Sequence, residues 1–130
     1  MKIERILNIE DTMSKHIAIF RALKKCGITS VDRAENAEDG LASIEQAIRD
    51  DKPYDLLITD MHFSVNGKDD TRAGMYVIEE LRNREINIPI VVCSSLRLQI
   101  DGTEGCIYYN ERSGDLDTDV REMIEKVKCK

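Results

Sequence analysis

A chain of 130 residues, 42% apolar and 34% charged, is one domain of ordinary size with enough length for a real core, and its balance is that of a soluble globular protein. Its net charge of −6 argues against a nucleic-acid surface, which needs a basic patch, and is compatible with a cation site. No apolar run approaches the roughly 20 residues that span a bilayer, and Met1 to Ile6 form no signal-peptide apolar region, so a cytoplasmic location without membrane contact is expected.

In chain order, Arg5 to Ile9 read as a short strand containing one odd polar residue, Asn8. Two acids, Glu10 and Asp11, follow it. Thr12 then suits a helix cap, with Met13, Ile17, Phe20 and Leu23 as the apolar stripe, Lys24 and Lys25 in the last turn, and Gly27 as the stop. Thr29 to Ala34 form a weaker, polar strand expected at a sheet edge. Asn36 and Asp39 resemble a helix start, and Leu41, Ile44, Ala47 and Ile48 make one apolar face.

Leu56 to Thr59 are the third strand, apolar enough to be buried on both faces, and the strand ends in a carboxylate, Asp60. Residues 61–72 are polar and read as a long loop carrying Lys68 and Arg72, more simply a mobile charged loop than a cover for a ligand. Met75, Val77, Ile78 and Leu81 mark a third helix. Ile88 to Cys93 form a second fully apolar strand ending in Ser94 and Ser95. Leu96 to Glu104 leave room for about two helical turns at most. Cys106 to Tyr109 are the fifth strand, and Leu116, Val120, Met123, Ile124 and Val127 stripe a final helix.

Five strands alternating with helices predict an α/β fold. Its parallel sheet has strand order 2-1-3-4-5 and helices on both faces, with the fourth helix short or absent. That order brings Glu10, Asp11, Asp60 and Ser94 to one end of neighbouring strands. Three carboxylates so close repel, and a hard divalent cation with oxygen ligands, Mg²⁺, compensates them best. The four cysteines (Cys26, Cys93, Cys106 and Cys129) include no C-x-x-C pair, and two histidines, His16 and His62, lack ligand spacing.

From Arg5 to Val127 the chain resembles the receiver (response-regulator) domain of two-component signalling, as an atypical member. The matching pieces are Ile6-Leu7-Asn8-Ile9-Glu10-Asp11, Tyr54-Asp55-Leu56-Leu57-Ile58-Thr59-Asp60-Met61, Ala73-Gly74-Met75 and Ile88-Pro89-Ile90-Val91-Val92-Cys93-Ser94-Ser95. The resemblance implies that Asp60 accepts a phosphoryl group from the phosphohistidine of a sensor histidine kinase or phosphotransfer protein. It implies that Glu10, Asp11, Asp60 and the carbonyl of His62 hold Mg²⁺, and that Ser94 binds the phosphoryl oxygen. Residues 1–130 would be a single receiver-like domain with no separate output domain. It would be a phosphoacceptor rather than an enzyme, signalling to a downstream protein target, with a homodimer left open.

The chain departs from the family in three places. Receivers carry a lysine at the end of the last strand, where this chain has Asn110. Two opposite charges about 4 Å apart attract by up to about 4 kcal/mol at an effective dielectric of about 20, so its loss would slow phosphotransfer. Arg112 is a candidate substitute, although an arginine pointing to solvent is the simpler expectation. The loop after Asp60 is longer than the family's turn. The segment before the fifth strand is too short for a full helix, which would leave an exposed groove. These departures define an alternative: a degenerate pseudo-receiver that acts as a phosphorylation-independent interaction module. A flavodoxin-like module or a small hydrolase fits less well, because a phosphate loop wants Gly, Ser and Thr where the first strand ends in two acids.

Overall fold

The computed structural model describes residues 2–110 and 115–129. A five-stranded parallel sheet has the order β2-β1-β3-β6-β7, built from β1 (Arg5–Ile9), β2 (Ser30–Ala34), β3 (Leu56–Thr59), β6 (Ile90–Ser94) and β7 (Gly105–Tyr108). These are the five predicted strands in the predicted order. Every residue of β3 and β6 is buried, as central strands covered on both faces require. Alternate residues divide between two cores. Leu7, Leu57 and Val92 face one, and Ile6, Leu56, Ile58 and Val91 face the other. β2 is one of the two edge strands, and its side chains alternate toward solvent.

The first core is closed by α2 (Ala37–Arg49) and α3 (Ala73–Asn83), the second by α1 (Met13–Lys25) and α4 (Leu116–Lys128). Asn36 caps α2 as expected, its Oδ1 accepting from the Asp39 N–H at 2.8 Å. The apolar stripe read for α1 needs correction. Ile19, Ala22 and Leu23 are buried, while Met13 and Ile17 are 52% and 39% exposed. The helix carries apolar residues on two sides, and the sheet covers only the side bearing Ile19.

The 61–72 segment also differs from the expected mobile loop. β4 (Phe63–Val65) and β5 (Lys68–Asp70) form an antiparallel hairpin turned by Asn66 and Gly67, both at positive φ. Phe63 is fully buried in the first core, and the hairpin is tied to α2 by the Asn66 N–H donating to Glu38 Oε1 at 2.9 Å. Met61 and Val65 pack against the same core as Phe63. Lys68 and Arg72 are exposed.

No helix forms between β6 and β7. A groove of about 820 Å³ lies there instead, lined by residues including Arg97, Leu98, Ile100, Cys106, Met123 and Lys126.

Candidate functional site

The acids gather where β1 and β3 end. Register pairs Ile9 with Thr59, and the Asp60 N–H donates to the Ile9 carbonyl at 3.0 Å, so Glu10 and Asp60 leave adjacent strands side by side. One carboxylate oxygen each from Glu10, Asp11 and Asp60 lies within 4.8 Å of the others. Glu10 is fully buried, Asp60 nearly so, and Asp11 is exposed.

The chain around them is held by polar contacts that the sequence motif does not advertise. Asn8, buried within β1, donates from Nδ2 to the Ile58 carbonyl at 2.9 Å, and its Oδ1 lies 2.9 Å from His16 Nδ1. Asn8 thus ties β1 to β3 beneath the acids, and α1 to both. Arg33 donates to the carbonyls of Glu10 at 2.9 Å and Asp11 at 3.0 Å, fixing the turn into α1. The Thr12 hydroxyl makes no cap bond. Instead the Thr12 N–H donates to Glu10 Oε2 at 3.1 Å, so the acid itself serves the start of the helix. On β3, Asp60 Oδ1 accepts from the Met61 N–H at 2.8 Å.

Gly74 explains the Ala73-Gly74-Met75 motif. A Cβ there would stand 2.6 Å from the Asp60 carbonyl oxygen, and the Gly74 N–H donates to the Met61 carbonyl at 3.2 Å. Only glycine lets the first turn of α3 pack against the backbone of Asp60.

Charge compensation comes from a residue that the sequence reading passed over, Lys15. Its Nζ lies 3.3 Å from Asp60 Oδ2, 3.4 Å from Glu10 Oε1, and 5.2 Å from the centroid of the Tyr109 ring. The signal was present: a helical side chain leans toward the helix N-terminus, so a lysine in the first turn of α1 reaches back over the acids that precede it. A cation in that turn also opposes the helix dipole, which marks it as serving another partner.

Burial, and next the charge of Asp60, push the Glu10 carboxyl up to about 7, against the pull of Lys15. Burial works against the Lys15 ammonium, but Asp60 and Glu10 outweigh it and hold the group above its ordinary value. Glu10 Oε1 still has no hydrogen bond, because the Lys15 contact at 3.4 Å is electrostatic rather than a well-formed bond. A buried carboxylate oxygen without a donor, beside two more carboxylates, suits a hard divalent cation, so these residues fit Mg²⁺.

Ser94 ends β6 one residue beyond Cys93, at the same sheet end as Asp60, and its Oγ accepts from the Leu96 N–H at 3.1 Å. His62 is exposed, two residues past Asp60. At the end of β7, the Tyr109 ring meets the Lys15 cation, whereas Asn110 Nδ2 lies 3.5 Å from Tyr108 Oη. Arg112 lies outside the described residues. His16 belongs to the Asn8 contact. Cys93 and Cys106 sit on neighbouring strands as free thiols, with Val92 rather than Cys93 opposite Cys106.

No protein-family model and no curated protein sequence matches the chain. Solved structures do. The chemotaxis response regulator CheY4 of Vibrio cholerae aligns with a TM-score of 0.73 at 16% identity over 97% of this chain and 99% of its own. A CheX–CheY complex with beryllium trifluoride and magnesium from Borrelia burgdorferi gives 0.77 at 13% identity, over 98% and 90%. The response regulator TrrA of Thermotoga maritima, in complex with magnesium and beryllium fluoride, gives 0.66 at 20%, over 93% and 99%. At such identities the likeness is one of fold. A parallel sheet in the order β2-β1-β3-β6-β7, flanked by helices and matched end to end by these proteins, is the fold of a response-regulator receiver domain.

Proposed function

We propose that the chain is a receiver that accepts a phosphoryl group on Asp60 with Mg²⁺ and signals through protein contacts. The observation that carries this is the convergence of Glu10, Asp11 and Asp60, with Glu10 Oε1 buried and lacking a hydrogen bond. Glu10, Asp11 and Asp60, with the His62 carbonyl, would hold the ion. When bound, Mg²⁺ supplies positive charge that offsets the charge of the transferring group.

The chain's own residues do the rest. A carboxylate oxygen of Asp60 attacks phosphorus, and the new O–P bond replaces the P–N bond of a phosphohistidine. The imidazole departs with the bonding electron pair and takes up a proton. The Met61 N–H on Oδ1 fixes the plane of the carboxylate for that attack. The Ser94 hydroxyl, now turned to the Leu96 N–H, would exchange that contact for a phosphoryl oxygen and draw in the segment after β6. The phosphodonor would be a sensor histidine kinase or phosphotransfer protein in the cytoplasm, and the output a downstream protein.

Incubating the protein with Mg²⁺ and acetyl phosphate should give a single phosphoryl adduct by intact-mass spectrometry. Hydroxylamine should remove the adduct, and Asp60→Asn should abolish it. No adduct on the wild type would leave the alternative, a pseudo-receiver that works by contact alone. The absence of a lysine at Asn110 and of a helix between β6 and β7 favours that second reading.

A further inference from the structure

Features outside the function so far proposed include the groove between β6 and β7, a smaller apolar cavity of about 290 Å³ at the opposite sheet end beside Ile48 and Tyr54, and Lys15. Nothing says what would fill either cavity. Lys15, by contrast, is in contact with the reacting group itself.

We propose that Lys15 is the catalytic cation of this site: it pairs with the Asp60 carboxylate before transfer and with the phosphoryl oxygens afterwards, delivered from α1 rather than from the end of the last strand. This rests on the receiver reading of Asp60. Three observations support it. The ammonium stands within 3.4 Å of both Asp60 and Glu10, with the lysine side chain only 19% exposed, so its charge is shielded less by solvent than a surface lysine's. The Lys15 ammonium also lies over the Tyr109 ring, 5.2 Å from its centroid, a contact that favours keeping this flexible side chain at the pocket. Finally, among the described residues just beyond the last strand, Tyr109 and Asn110 carry no positive charge, whereas Lys15 reaches the acids from α1.

Among the described residues, Lys15 carries the ammonium that pairs with both the Asp60 and Glu10 carboxylates. Glu10, Asp11 and Asp60 would hold Mg²⁺, which would supply positive charge there, and the Lys15 ammonium, near the Tyr109 ring, would stay beside Asp60 to meet the transferring group. No bond of Lys15 is made or broken. Its work is electrostatic, stabilising charge as it develops on the phosphoryl oxygens.

The test compares wild type, Lys15→Met and Lys15→Arg by two measurements: Mg²⁺ affinity by calorimetry without a phosphodonor, and the rate of acetyl-phosphate labelling by mass spectrometry. Lys15→Met should bind Mg²⁺ as tightly as wild type or several-fold tighter, since a competing cation is gone. It should label about 100-fold more slowly. Lys15→Arg should recover part of the rate. If Lys15→Met proves poorly folded by circular dichroism, Lys15→Gln takes its place. Labelling of Lys15→Met within about threefold of wild type would overturn the assignment while leaving Asp60 as acceptor. Parallel loss of Mg²⁺ binding and labelling would also overturn it, by showing that the residue merely holds the pocket together. A wild type that takes no label would end the receiver reading and this assignment with it, and that outcome is read from the wild type alone.

Discussion

The two halves of the sheet are finished to different degrees. Around β1 and β3, the chain about the acids is held by several specific contacts. Asn8 bridges to β3 and α1, Arg33 holds the turn, Gly74 admits α3, and Phe63 pins the hairpin. Around β6 and β7, residues 95–104 form no helix and leave a groove, with Arg97 stacked over the Tyr108 ring at 4.6 Å as a surface contact. The contrast teaches that charge is costly to gather and must be braced, whereas an exposed groove away from it can be remodelled with little effect on the rest.

Mutations should sharpen this asymmetry. The largest effect is expected from Phe63→Ala, which removes the hairpin's anchor from a fully buried position and should cost about 3–5 kcal/mol in urea unfolding. A loss below 1 kcal/mol would mean that the hairpin is not part of the core. Gly74→Ala forces a methyl group against the Asp60 carbonyl and should cost about 1–3 kcal/mol, with a matching fall in Mg²⁺ affinity. Retained affinity would separate α3 from the acid site.

The third effect depends on pH. Folding raises the Glu10 carboxyl from 4.5 to about 7, so the protonated form is favoured in the fold. Its contribution to metal-free stability is therefore complete below 4.5 and is lost as pH rises through about 7. Thermal melts at pH 6 and pH 8 should differ in that direction, and Glu10→Gln or saturating Mg²⁺ should flatten the difference. A slope unchanged in Glu10→Gln would assign it to another group. Smallest should be Arg97→Ala at the groove, within about 0.5 kcal/mol of wild type. A larger cost would show that the open side is braced after all.

The sheet was legible because its central strands are short apolar runs that only a doubly covered position explains, and because each ends in a distinctive polar residue. Leu56 to Asp60 and Ile90 to Ser94 carried the central strands, and with the Glu10-Asp11 pair after the first strand they placed the acid site. Two things were harder to see. Phe63 lies in a short alternating run, Met61, Phe63 and Val65, whose period was outweighed by the polar residues after it, although Asn66-Gly67 is a turn signal. Lys15 was hidden by reading the first helix only for its apolar stripe. That stripe was itself ambiguous, because Met13 and Ile17 compete with Ile19 and Ala22 for the inward face. Direction along the helix, rather than periodicity around it, was the missing consideration.

The close approach of Gly74 to Asp60 also has a mechanical consequence. With no side chain between them and a hydrogen bond to Met61, the start of α3 and the turn after Asp60 fit together like meshed gears. A shift of Asp60 toward the start of α3 would meet backbone with no side chain to absorb it, whereas between β6 and β7 no helix stands to be moved.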